Sequence, residues 1–260
     1  MLTTSASYRV ITANMTRSLQ AAADKPQVAR EAAYYLANIG TVKSIDDFLG
    51  NDRLYRYAMK AFGLEAMTYA KAFMRKVLTE GIADSGSFAN KLSDTRYREF
   101  ADTFNFAEFG TTTTIFDITR QGTVDRYVRQ TLEEDAGSQD QGVQLALYFE
   151  RRAKSLTTPL AVLADAALLK VVQTALDLPA SMSVLDLDRQ VELISSRLDV
   201  EDFKEPEKLA DFLERFTQLW EVSNPSGTAA APTLQVGQPL EAGIGGDVLA
   251  SLQNLKLGGT

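Results

Sequence analysis

Between residues 26 and 222 the apolar residues recur with helical spacing. After Pro26, which suits a first helical turn, Val28, Ala32, Tyr35, Leu36 and Ile39 fall on one face. Leu54, Tyr57, Ala58, Ala61 and Phe62 follow the i, i+3, i+4, i+7, i+8 pattern of an amphipathic helix. A helix over 65–80 turns Phe73, Met74, Val77 and Leu78 inward, and another carries Tyr97, Phe100, Ala101 and Phe104. Helical patterns return at 124–134 and 141–154, from Pro159, from Asp165, and at 184–198 and 206–222. This predicts an all-α, multi-helix bundle.

Punctuation between these stripes agrees. Ser44 with Asp47 resembles a capping box; Asn51, Ser85, Ser93 and Asp165 stand where N-caps are needed. Gly40 and Gly81 close helices, and Gly63 occupies a left-handed C′ position with Leu64 supplying the following hydrophobic contact. Gly110 to Gly122 breaks the rhythm. Its Thr111–Thr114 run and Ile115-Phe116-Asp117-Ile118-Thr119 favour β structure, so an extended linker or short hairpin is expected. Residues 1–25 hold at most a weak helix (Ile11, Met15, Leu19) and are expected to be flexible. The helical domain spans 26–222. Residues 223–260 form a flexible tail, linker-like from Pro225 to Pro232, with one apolar cluster at Val248, Leu249, Leu252 and Leu255.

The chain also echoes itself. Leu54, Tyr57, Ala58, Ala61, Phe62 and Leu64 line up with Leu168, Val171, Val172, Ala175, Leu176 and Leu178, a shift of 168 − 54 = 114. At that shift Tyr34 meets Tyr148, Asn51 meets Asp165 and Gly63 meets Asp177. Any two amphipathic helices can be slid into phase; a duplication into halves 26–106 and 124–222 is the other reading.

Composition removes much chemistry. The 260 residues include no histidine and no cysteine. Serine triads, Cys–His dyads, cysteine- and histidine-based zinc sites and disulfides are therefore excluded, while carboxylate-based hydrolysis and oxygen-ligand metal sites are not. With 27 basic and 34 acidic residues the net charge is −7, and no basic run exists, so no nucleic-acid partner is expected. No apolar window approaches a membrane span. The N-terminus lacks a basic-then-apolar secretory signal, which implies a cytoplasmic protein or one exported without a cleavable signal.

Two acidic groupings invite a metal and one glycine run a phosphate. Asp46-Asp47 with Asp52 reads as helix capping, and Glu133-Glu134-Asp135 with Asp140 lacks the spacing of a calcium loop. Gly243-Ile244-Gly245-Gly246 resembles a phosphate loop, but no strand precedes it and no Lys-Ser/Thr follows. No catalytic residue, cofactor or metal is expected. The densest polar-aromatic cluster is Asn90, Lys91, Asp94, Arg96, Tyr97 and Arg98. It reads either as a docking surface or as a capped helix start with an Asp94–Arg98 pair.

Ile45-Asp46-Asp47-Phe48-Leu49, Lys60-Ala61-Phe62-Gly63-Leu64, the stretch from Phe88 to Tyr97 and Phe104-Asn105-Phe106 resemble a bacterial all-helical family of unknown function. Its genes lie among flagellar clusters in alphaproteobacteria. The resemblance implies other flagellar proteins as partners and supplies no catalytic residues. Tyr35-Leu36-Ala37-Asn38-Ile39-Gly40-Thr41 is also similar to a motif near the N-terminus of rod and hook proteins. The expectation is a non-enzymatic, flagellum-associated structural or assembly protein. The alternatives are an adaptor or export chaperone for a flagellar subunit and, more distantly, a carboxylate-dependent enzyme.

Overall fold

The computed structural model describes residues 2–224, and no strand occurs among them. Fifteen α-helices are joined by short 3-10 turns among the described residues: α1 (Thr4–Ala13), α2 (Met15–Ala23), α3 (Pro26–Asn38), α4 (Ile45–Gly50), α5 (Asp52–Ala61), α6 (Lys71–Glu80), α7 (Phe88–Lys91), α8 (Thr95–Thr103), α9 (Phe106–Phe109), α10 (Gln121–Gly137), α11 (Gln141–Ala153), α12 (Pro159–Leu163), α13 (Ala166–Ala175), α14 (Leu187–Ser195) and α15 (Pro206–Ser223). The tail expected to be flexible lies outside the described residues, apart from its first two positions.

Two apolar cores form. One gathers buried residues from Ala22 to Leu132, the other from Leu145 to Trp220. The division corrects the expected halves. Helix α10, placed by sequence with the second half, buries Val124, Tyr127, Val128 and Leu132 in the first core. The reason is aromatic packing: Tyr127 stacks on Tyr57 at 4.0 Å, and Tyr57 stacks on Tyr35 at 4.5 Å. The reverse exchange occurs at the other end. Helix α1 packs on α11 and α15, and Tyr8 lies against the second core.

The N-terminal expectation is corrected as well. Residues 4–23 form two capped helices: Thr3 accepts the Ala6 N–H and Asn14 the Arg17 N–H. Their apolar trace is thin, yet Ile11, Met15 and Leu19 pack on the first core and Ala22 is buried in it. Thr4 donates to Asp140 at 2.7 Å across 136 residues of sequence, and Arg9 pairs with Glu214.

The 114-residue echo is visible in backbone detail. Ser44 Oγ accepts the Asp47 N–H at 3.0 Å, and Thr158 Oγ1 accepts the Ala161 N–H at 3.3 Å. Asn51 caps the ten-residue α5, and Asp165 caps the ten-residue α13. Gly63 has φ +67°, while Asp177 has φ +51° and is the sole non-glycine with positive φ among the described residues. Leu64 N–H returns to Met59 O and Leu178 N–H to Gln173 O, both at 2.8 Å, the six-to-one bond of a Schellman ending. Four caps and two chain reversals in one register are more than two sliding stripes supply.

Other local expectations move. Helix α3 stops at Asn38, and a 3-10 turn, Ile39–Thr41, takes up Gly40. The expected helix over 65–80 is a 3-10 turn, Glu65–Met67, followed by α6. Ser87, not Ser85, precedes α7. The 110–122 segment is neither strand nor hairpin but two 3-10 turns, Gly110–Ile115 and Asp117–Thr119, followed by the start of α10. β propensity loses there because threonine hydroxyls bind nearby carbonyls instead of leaving the backbone to a ladder.

Candidate functional site

The polar cluster on α7 and α8 is largely structural. Asp94, not Ser93, caps α8: its carboxylate accepts the Arg96 N–H at 3.0 Å. The same carboxylate takes the Arg96 guanidinium, Nε at 2.9 Å and Nη2 at 2.6 Å, replacing the expected Asp94–Arg98 pair. Arg96 Nη1 donates to Gly63 O at 2.6 Å, so the buried arginine ties α8 to the chain reversal after α5. Burial opposes the Arg96 charge, but Asp94 outweighs it and the guanidinium is held above its usual range. Tyr97 is buried, and Phe73 meets its ring at 5.1 Å. Asn90 donates to Ile82 O at 2.9 Å and Asp84 O at 2.7 Å. Lys91 and Ser93 remain exposed. The expectation of one docking surface from Asn90, Lys91, Asp94, Arg96 and Tyr97 is therefore corrected. Arg96 and Tyr97 face inward because each completes the packing beneath α5.

The acidic groupings are engaged too. Asp47 accepts the Lys43 N–H at 3.1 Å, and this bond with the Ser44 hydroxyl lowers its pKa. Asp46 pairs with Arg75 and Asp52 with Lys71, each at 2.5 Å; the Lys71 bond lowers the Asp52 pKa. Glu133 is fully buried between α10 and α11, held at 2.8 Å by both Arg151 Nε and Nη2 and at 3.0 Å by Arg129 Nε. Among the described residues no group of three or more carboxylates is placed to hold a metal ion. A groove of 390 Å³ lined by Tyr8, Arg129, Glu150, Arg151, Lys154 and Leu209 has its two arginines already committed to Glu133 and Glu150.

One exposed surface is apolar. The two 3-10 turns after α9 are turned inside out. Thr113, Thr114 and Thr119 are fully buried, while Phe109, Ile115, Phe116 and Ile118 are 40–56% exposed. Thr114 Oγ1 donates to Val42 O at 2.8 Å, Thr119 Oγ1 to Thr113 O at 2.9 Å, and Tyr35 OH to Thr119 O at 2.6 Å. Phe109 and Phe116 meet edge to face at 5.0 Å. Inward hydroxyls thus fix a segment that presents large apolar side chains to solvent. Sequence reading missed this surface because the same Thr/Ile run carries a strand signal. The usable clue was four consecutive threonines after a glycine, which suits hydroxyl-to-backbone turns.

No helix among the described residues is long and apolar enough to cross a membrane. None of the curated proteins compared with the chain matches it. The X-ray crystal structure of protein AGR_C_984 from Agrobacterium tumefaciens is similar, with 49% identity and a TM-score of 0.79, over 85% of this chain and 94% of that one. Residues 61–209 match a family described as a protein of unknown function, DUF1217. That span is more than half of the 260 residues, and it includes α6 to α14, both chain reversals and the inside-out turns. The chain belongs to the DUF1217 family.

Proposed function

We propose that this DUF1217 protein is a non-enzymatic component of the flagellum, structural or assembly-related, acting through surface contacts with other flagellar proteins. The observation that carries this reading is the inside-out segment 109–119. Four large apolar side chains stand in solvent on a backbone fixed by buried hydroxyls, the arrangement expected of an interface waiting for its partner. The resemblance to a family encoded among flagellar genes supports the setting, as does a relative from Agrobacterium tumefaciens, an alphaproteobacterium. The engaged state of the buried carboxylates favours a binding role over catalysis. A second surface, on α12 and α14, favours the adaptor or export-chaperone alternative.

The test is genetic. Deleting the gene in its motile host is expected to impair swimming, and the wild-type gene to restore it. A Phe109→Ser/Phe116→Ser variant is expected to accumulate normally and fail to restore it. Unimpaired swimming of the deletion strain rejects the flagellar role. Full rescue by the double variant rejects the 109–119 surface.

A further inference from the structure

The duplication supplies an internal control for one surface. In the first half two ion pairs tie α4 and α5 to α6: Asp46 to Arg75 and Asp52 to Lys71. Asp46 is the second residue of α4, Asp52 the first of α5, and Lys71 and Arg75 the first and fifth of α6. At the 114-residue shift the corresponding positions are Leu160, Ala166, Leu185 and Arg189. Three of the four charges have become apolar and Arg189 keeps its charge, although α12 packs on α14 as α4 packs on α6. The first half shows that this arrangement of helices forms with charges at those positions. The fold therefore does not require apolar residues there.

Nor does the second half bury Leu160 or Leu185. Leu160 is 49% and Leu187 54% exposed, and the turn into α14 adds Leu185 at 43% and Val184 at 84%. Bulky aliphatic residues held in water at a site where the fold accepts ions are explained by a contact outside the chain. The rim gives the sign of the partner. Asp186 and Asp188 are exposed, and neither has an ion-pair partner among the described residues. Arg189 and Glu192 neutralise each other at 2.6 Å. The face is thus aliphatic with an acidic edge.

A second copy of the chain fits poorly. Its net charge is −7, and its other large apolar surface, 109–118, is itself flanked by Glu108 and Asp117. Docking the two would set acid against acid. We propose that the α12–α14 face binds the apolar stripe of an amphipathic helix supplied by another protein, with Lys or Arg flanking that stripe. This rests on the reading of the chain as an interaction protein and adds the chemistry of its partner.

The experiment uses the full chain and two labelled synthetic peptides: an 18-residue amphipathic Leu/Lys helix and its Leu/Glu counterpart, followed by fluorescence anisotropy. The Leu/Lys peptide is expected to bind at least about tenfold more tightly than Leu/Glu, more weakly as salt rises. Leu160→Ser/Leu187→Ser is expected to weaken binding about tenfold or more, and Tyr69→Ser, at an exposed position outside both apolar surfaces, to leave it unchanged. Val184→Ser, at the most exposed position, gives the same test should the double variant lose its fold. Four results overturn the proposal: no binding up to about 100 μM peptide, weaker than most recognition by specific interfaces; equal binding of both peptides; equal loss in Leu160→Ser/Leu187→Ser and in Tyr69→Ser; or light scattering that shows a dimer abolished by Leu160→Ser/Leu187→Ser. Peptide binding is read without reference to motility, so its failure is separable from failure of the flagellar role.

Discussion

Arg96→Ala is expected to damage the fold rather than a surface. The side chain is buried and makes charge-assisted bonds to Asp94 and a 2.6 Å bond to Gly63 O. Removing it leaves a carboxylate whose side chain is 10% exposed, together with a carbonyl at the reversal after α5. Breaking a buried pair from one side costs about 3–5 kcal/mol. Asp94 keeps its cap bond to the residue 96 N–H, so the lower end, about 3 kcal/mol, is expected. For a domain of this size, about 2–4 °C per kcal/mol predicts a melting temperature lower by about 6–12 °C. Arg96→Lys should recover only part of this, because an ammonium cannot reach the carboxylate in the same fork and Gly63 O as well. The assay is thermal unfolding by circular dichroism, with urea midpoints as a check. A shift under about 2 °C would refute the argument, and with a loss of motility it would return Arg96 to the surface.

Gly142→Ala should destabilise by about 1–3 kcal/mol despite better helix propensity, because the new Cβ would collide with the Trp220 ring and Thr4 Cγ2; a more stable variant would refute the packing. Gly63→Val should cost about 1 kcal/mol or more at φ +67°, whereas Asp177→Gly at φ +51° should be neutral or stabilising in the same melts. Burial holds seven tyrosines (Tyr8, Tyr35, Tyr55, Tyr57, Tyr97, Tyr127 and Tyr148) protonated above their usual value. A raised folded pKa stabilises below the unfolded value, near 10, and that stability is lost as pH rises beyond it. Melting temperature should therefore fall steeply above about pH 10, with most 295 nm absorbance change coinciding with unfolding; ionisation of all seven in the folded protein would contradict this. Deleting residues 1–24 should cost more than about 5 kcal/mol, since Tyr8, Ile11, Met15, Leu19 and Ala22 all lose packing partners; an unchanged urea midpoint would show those helices to be dispensable.

The legible parts of this chain are those whose physics is local. Asn51, Asp165 and Gly63 act on backbone groups within a few residues, so their types and spacing declare their roles. Asp177 could be read at its left-handed position only through the echo with Gly63. Arg96 was opaque because its second partner, Gly63 O, lies 33 residues away, and an exposed and a buried arginine look alike in a sequence. The first two helices were opaque for the same reason on a larger scale: their partners on α10, α11 and α15 lie more than a hundred residues downstream. At 109–119 the sequence signal was present but pointed elsewhere, because Thr and Ile favour strands until hydroxyls find carbonyls close by. The α12–α14 face became readable only once the caps had fixed which residue of one half corresponds to which of the other.

The exchange of α1 and α10 between the two cores also dictates an order of assembly. Helix α1 docks on α15, the last of the described helices, through Arg9 and Glu214, 205 residues apart. The first core cannot close until α10 has been made, and the second lacks its α1 contacts until α15 and the N-terminus meet. A growing chain therefore holds the first core open until α10 has been made and the second until α15 has, with completion of the second deferred to a long-range step whose loop entropy makes it slow. A chain clasped from α1 to α15 in this way stays unfinished, and accessible to whatever handles nascent or unfolded chains, until α15 exists.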